Sequence, residues 1–130
     1  MTIEETNITF LYPPAFDKEW KKCGLTHSDK EELESILTQY KQQKNHIGPL
    51  YLGDMIQQTG GAIKLRFSPE SSNKGKSGSY RIIYFIALEY TYAFLDIYPK
   101  NEKDTLTDQD KREIKQFIIE FKKLLNKGAN

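Results

Sequence analysis

The residues best placed to do chemistry in this chain are cations, and they fall in a regular pattern. Lys64 and Arg66 stand two apart in an alternating run, residues 63–68, in which Ile63, Leu65 and Phe67 take the other parity. In a strand, that alternation puts both charges on one face. Arg81 opens the next β-prone run, so a hairpin between the two runs would make the three cations converge. Lys74 and Lys76 lie in the segment joining them, among Gly75, Ser77, Gly78 and Ser79, whose small size lets another backbone approach closely. Lys100 follows a further run, beside Asn101 and Glu102. Guanidinium and ammonium groups bind phosphate oxygens strongly, so this set reads as an RNA-backbone site. Tyr80 and Tyr84 are candidates to stack on an unpaired base, or equally to pack in the core. The plainer alternative is that the charges only solvate an open sheet face.

Other chemistries fail on spacing. Gly75-Lys76-Ser77 looks like the end of a P-loop, but Glu70 stands where that loop needs its first glycine. A strand rather than a helix follows, so the phosphate-cradling helix N-terminus is missing. His27 and His46 are the only histidines, nineteen apart in polar surroundings, and read as solvated surface. No metal site and no Ser-His-Asp or Cys-His hydrolase is expected from them. Cys23 is the only cysteine, which excludes an internal disulfide, a CxxC redox pair and a multi-cysteine zinc site. A reducing cytoplasm is the simplest setting.

The chain has 130 residues with 38% hydrophobic and 28% charged, the balance of one globular domain spanning 1–130. Its longest uncharged apolar run, residues 82–88, is far below the roughly 20 needed to span a bilayer, and no secretory signal is visible. Net charge is only +1, yet its distribution is uneven. Residues 1–59 sum to −3, residues 60–81 to +4 and residues 82–130 to 0. Positive charge is concentrated in the stretch that holds Lys64, Arg66 and Arg81, and a local field counts for more than the total toward an anionic partner.

The elements that must position these residues can be read along the chain. Residues 7–12 form a short strand stopped by Pro13-Pro14. Residues 15–22 form one or two helical turns carrying Phe16 and Trp20, ended by Gly24. Ser28 and Glu31 read as a capping box for a helix whose face is Leu33, Ile36, Leu37 and Tyr40. Residues 45–59 read as an irregular connection. Strands follow at 63–68, 80–88 and 91–98, with Glu89-Tyr90 as the tight link between the last two. The middle strand is apolar on both faces, as a central strand should be. Thr107 and Asp110 cap a final helix with the stripe Ile114, Phe117, Ile118, Phe121 and Leu125. The order is β-α-α-β-β-β-α, an α+β fold with a small antiparallel sheet and helices packed on one face.

Several segments together carry a resemblance. Residues 59–66 (TGGAIKLR), 75–78 (GKSG), 81–85 (RIIYF) and 97–103 (IYPKNEK) with Leu106 look like the signature of RelE/HigB toxins of type II toxin–antitoxin systems, in their HigB-like branch. The resemblance runs in order from residue 52 to about 125. The chain differs from many relatives in carrying Ile63 where they have Arg, and from RelE proteins proper in having no tyrosine after Tyr98.

The resemblance implies a RelE-like fold and a ribosome-dependent mRNA endoribonuclease that inhibits translation without a metal or cofactor. In that chemistry the RNA's own 2′-hydroxyl attacks the adjacent phosphate. One group must take the 2′-proton, another must protonate the leaving 5′-oxygen, and charge at phosphorus must be stabilised. Lys64 matches a catalytic lysine of the family and Arg81 its phosphate-stabilising arginine. Arg66, Lys74 and Lys76 lie where the family carries further RNA-binding charge; Lys100, Asn101 and Glu102 lie where it often has its next catalytic or substrate-contacting group. Like charges disfavour an ammonium, so Lys64 crowded by Arg66 and Arg81 is one candidate general base, and Glu102 is another. The implied partners are mRNA, the ribosome and a cognate HigA-like antitoxin with a helix-turn-helix domain; operator DNA would be reached only through that antitoxin, and no membrane is expected. The alternatives are a ParE-like gyrase poison, which shares the fold, and a plain RNA-binding module.

Overall fold

The computed structural model of the protein describes residues 7–43, 47–70, 79–102 and 105–128. The chain forms β1 (Thr9–Leu11), α1 (Pro14–Lys22), α2 (His27–Lys41), β2 (Asp54–Met55), β3 (Ile63–Phe67), β4 (Tyr80–Ala87), β5 (Thr91–Pro99) and α3 (Asp108–Gly128). The strands make one sheet in the order β1-β5-β4-β3-β2. Neighbours from β2 to β5 run antiparallel, while β1 lies parallel to β5. The architecture is α+β, but three features correct the sequence reading.

The sheet is mixed rather than antiparallel. Short links force antiparallel pairing only between consecutive strands. The chain leaves β1 through both α1 and α2, so no turn sets its direction. A fifth strand is present, the two-residue β2, too short to show a period in the sequence. Helices cover both faces rather than one. Ile63, Leu65, Phe67, Tyr80, Ile82 and Tyr84 pack with Phe16, Trp20, Leu33 and Leu37 of α1 and α2. Ile83, Phe85, Ala87 and Tyr98 pack with Ile118, Ile114, Phe121 and Leu125 of α3. A strand apolar on both faces demands this second layer.

The cap of α2 also moves. Thr26, not Ser28, accepts from the Asp29 backbone N–H, and the Asp29 carboxylate accepts from Thr26 N at 2.8 Å. The two readings differ by two residues because both spans offer a hydroxyl with an acid three residues on. At the β4–β5 reversal, Leu88 and Glu89 adopt φ of 52° and 68°, so the left-handed pair sits one residue earlier than Glu89-Tyr90.

Candidate nucleic-acid interface

Lys64 is placed by a short hairpin. Thr59 Oγ1 donates to the Ile56 carbonyl at 2.6 Å and accepts from Ala62 N at 3.0 Å, closing the connection between β2 and β3. Asp54 then pairs with Lys64 and Met55 with Ile63. Gly53 makes this possible: its φ is +119°, and a Cβ there would lie 2.6 Å from the Lys64 carbonyl oxygen. Only glycine lets the chain pass so close to β3.

The β3–β4 register brings the cations together. Arg66 stands directly opposite Arg81, and Lys64 opposite Ile83. Directly opposed residues share a face. Ile83 and Phe85 lie under α3, so Lys64, Arg66 and Arg81 occupy that same face. Lys64 and Arg81 are diagonal neighbours, about 7–8 Å apart by sheet geometry. Arg66 is exposed, Lys64 half-buried, and Arg81 only 8% exposed. The Arg81 guanidinium donates to Ser79 Oγ at 3.2 Å and, at a longer 3.5 Å, to the Tyr80 carbonyl. Among the described residues, no carboxylate lies within salt-bridge distance of Lys64, Arg66 or Arg81. Two arginines facing each other without an acid repel, a cost that an anionic ligand would remove.

Two further residues join this face without having stood out in the sequence. A pocket of about 240 Å³ is lined by Lys64, Asp54, Met55, Ile56, Thr105, Leu106 and Lys111. Asp54 comes from β2 and Lys111 from the first turn of α3. Lys111 is half-buried because it begins the inward stripe that continues through Ile114, Ile118, Phe121 and Leu125. A lysine at a stripe position was the signal for it.

The structure does not bring the aromatic candidates to this surface. Tyr84 is fully buried on the opposite face, stacked on Tyr92 and donating to the Leu52 carbonyl at 2.6 Å. Tyr80 points the same way and donates to the Cys23 carbonyl at 3.2 Å. Neither ring is open to stack on a base, Tyr84 included; both are core residues. Burial pushes the phenol of Tyr84 well above its ordinary range.

Lys100, Asn101 and Glu102 are exposed in the turn after β5, where Lys100 N donates to the Ser79 carbonyl and Glu102 N to the Pro99 carbonyl. This turn adjoins the Arg81 end of the sheet. Lys64 is level with Ile83 and Asp96, two strands and three residues from Pro99, so about 10 Å along and 10 Å across separate it from the turn. Glu102 instead acts on Cys23, whose thiol is pushed up by burial first, then by Glu19, Glu102 and Asp96. Lys64 and Glu102 do not form a contact pair. Lys74, Lys76 and His46 lie outside the described residues. His27 is on the exposed surface of α2, 3.8 Å from Glu31.

Among the described residues, no three His, Cys, Asp or Glu side chains come together to hold a metal ion. No helix there is long and apolar enough to cross a membrane. No protein-family model matches the chain.

Proposed function

We propose that this protein is a RelE/HigB-like toxin: an mRNA endoribonuclease working on the translating ribosome and neutralised by a helix-turn-helix antitoxin. The observation that carries the reading is the cross-strand pair Arg66–Arg81 with Lys64 diagonal to it, three cations on one sheet face with no described carboxylate within salt-bridge distance. The order of segments that resembles the HigB-like branch supports the same conclusion.

The reaction is a transesterification. The 2′-oxygen forms a bond to phosphorus as the P–O5′ bond breaks, leaving a 2′,3′-cyclic phosphate and a free 5′-hydroxyl. Lys64, an ammonium half-buried at the edge of the group, protonates the leaving 5′-oxygen, and solvent water takes the 2′-proton. Arg81 and Arg66 hold the non-bridging oxygens as charge grows on them. Arg81 has five N–H donors and spends its recorded bonds on Ser79 and Tyr80 from one nitrogen, leaving others for phosphate. Lys100 and Asn101, at the Arg81 end, contact the strand as it leaves.

The test is mapping of mRNA 5′ ends after adding purified protein to a translating system, with and without ribosomes. Cuts inside translated frames, bearing 5′-hydroxyls and lost in Arg81→Gln, support the proposal. Intact mRNA with salt-sensitive RNA binding would leave an RNA-binding module, and intact mRNA with blocked gyrase supercoiling would leave a gyrase poison.

A further inference from the structure

The pocket beside Lys64 carries a more specific assignment, which rests on the RNA reading above. We infer that the pocket between β2, β3 and the first turn of α3 holds one internal phosphodiester of the RNA strand, clamped by Lys64 and Lys111, with the adjoining nucleoside on Met55, Ile56 and Leu106.

Four observations combine. First, Lys64 and Lys111 come from different elements yet line one cavity, and neither is in an ion pair with a described residue. Two half-buried ammonium groups share this space with the single Asp54 carboxylate, which leaves an excess of positive charge for an anion to neutralise. Second, the cavity is continuous with the cationic row, because Lys64 belongs to both. A strand held by Arg66 and Arg81 therefore meets Lys111 at its next or next-but-one phosphate. Third, the volume of about 240 Å³ exceeds what a phosphate alone fills, and the remaining wall is mostly apolar: Met55 is 44% exposed, Ile56 is half-buried and Leu106 buried beside it, and Thr105 adds a hydroxyl. An apolar wall led by exposed Met55 beside two cations suits the ribose and base of a nucleotide better than a free inorganic anion. Fourth, Asp54 lines the same cavity. Two ammonium groups and one carboxylate leave a net +1, which a phosphodiester of charge −1 neutralises. A phosphomonoester near −2 is over-charged for the site and meets the Asp54 carboxylate. The charge balance thus selects a strand interior over a free mononucleotide.

Lys111 is accordingly a substrate-contacting residue, and Asp54 sets the preference for diester over monoester. The experiment is fluorescence anisotropy with two probes: a labelled 2′-O-methyl oligoribonucleotide of ten residues, which cannot be cut by its own 2′-oxygen, and a labelled adenosine 5′-monophosphate. Lys111→Ala is expected to weaken the oligomer about fivefold and flatten its salt slope by about 0.7, with Lys111→Arg restoring both. Asp54→Asn is expected to tighten the monophosphate by a larger factor than the oligomer. Lys127→Ala, at the far end of α3, serves as the surface-charge control. If Arg66→Ala and Arg81→Gln weaken the oligomer while Lys111→Ala binds as wild type, the pocket is overturned and the RNA reading stands. If none of these variants weakens it, the RNA reading fails and the pocket with it. An Asp54→Asn variant that changes both probes equally overturns the diester preference.

Discussion

The opposed pair Arg66 and Arg81 gives the sharpest prediction, because a functional site and a solvating face predict opposite costs for removing it. The two residues are direct partners on one sheet face, and no described carboxylate lies within salt-bridge distance of either. With the guanidinium charges roughly 6 Å apart and an effective dielectric between about 40 and 80, Coulomb repulsion amounts to about 0.7–1.4 kcal/mol at low salt. Arg66 is exposed, so screening cuts this to about half at 0.15 M salt and to a small remainder at 1 M. Arg66→Gln keeps most of the aliphatic stem and removes the charge. The free protein is therefore expected to become more stable by about 0.5–1 kcal/mol at low salt, or about 2–4 °C in Tm, with the gain fading as salt rises. The same variant is expected to bind single-stranded RNA about fivefold more weakly, with a salt slope reduced by about 0.7. Urea unfolding at 20 mM and 1 M sodium chloride reads the first effect, and anisotropy titration over the same salts reads the second. A stability unchanged at both salts, together with unchanged RNA affinity, would refute the reasoning: Arg66 would then be a solvating charge and the face an ordinary surface.

Three further outcomes follow from the geometry. Tyr84→Phe leaves the half-buried Leu52 carbonyl without its donor and should cost about 1 kcal/mol in urea unfolding, yet leave RNA affinity unchanged because the ring is on the other face. Gly53→Ala forces a Cβ against the Lys64 carbonyl in a left-handed backbone, so it should cost about 2–3 kcal/mol and weaken RNA binding through Lys64, read by melting and anisotropy together. Burial raises the phenols of Tyr84, Tyr12, Tyr80 and Tyr92, with the Glu34 hydrogen bond adding to it at Tyr12. A group raised in the folded state contributes stability that is intact below the ordinary value of 10.0 and is lost as pH climbs past it. Unfolding free energy should fall above pH 10, by about 1.4 kcal/mol per pH unit for Tyr84 alone, and Tyr84→Phe should make the fall shallower in a urea series from pH 9 to 12.

What the sequence made legible followed from period. The alternation of Ile63, Leu65 and Phe67 against Lys64 and Arg66 requires a half-buried strand, and β3 has it. The stripe of α3 is equally plain, as is its start, where Thr107 Oγ1 accepts from Asp110 N and the Asp110 carboxylate accepts from Thr107 N. Less legible was anything decided by tertiary closure. The direction of β1 depends on how the chain returns after two helices, and two residues of β2 show no alternation. Tyr84 reads identically as a core ring or a stacking platform until the face is known. Lys111 was hidden for the opposite reason: the charge drew attention away from a position that the helical period marks as inward.

The location of the cations has a cause in how the layers are cut. Along β4, the residues facing α1 and α2 are apolar from its first position: Tyr80, Ile82 and Tyr84. The residues facing α3 run Arg81, Ile83, Phe85 and Ala87, charged at the first position and apolar afterwards. β3, antiparallel to it, repeats the change: Lys64 opposite Ile83 is half-buried, and Arg66 opposite Arg81 is exposed. One layer covers its face out to β3, whereas on the α3 side Arg81 and Tyr98 stay buried and the cover ends at β3, where Arg66 is exposed. Uncovered sheet needs only polar side chains to stay wet, and Ser, Thr or a Lys–Glu pair across the strands would serve at no electrostatic cost. Two opposed arginines with a lysine diagonal to them are a costlier solution to solvation. They are an economical one for a polyanion, since each cation sits about one phosphate spacing from the next on a support that packing already holds rigid. That contrast is why the opposed arginines, rather than the total charge, bear the functional claim.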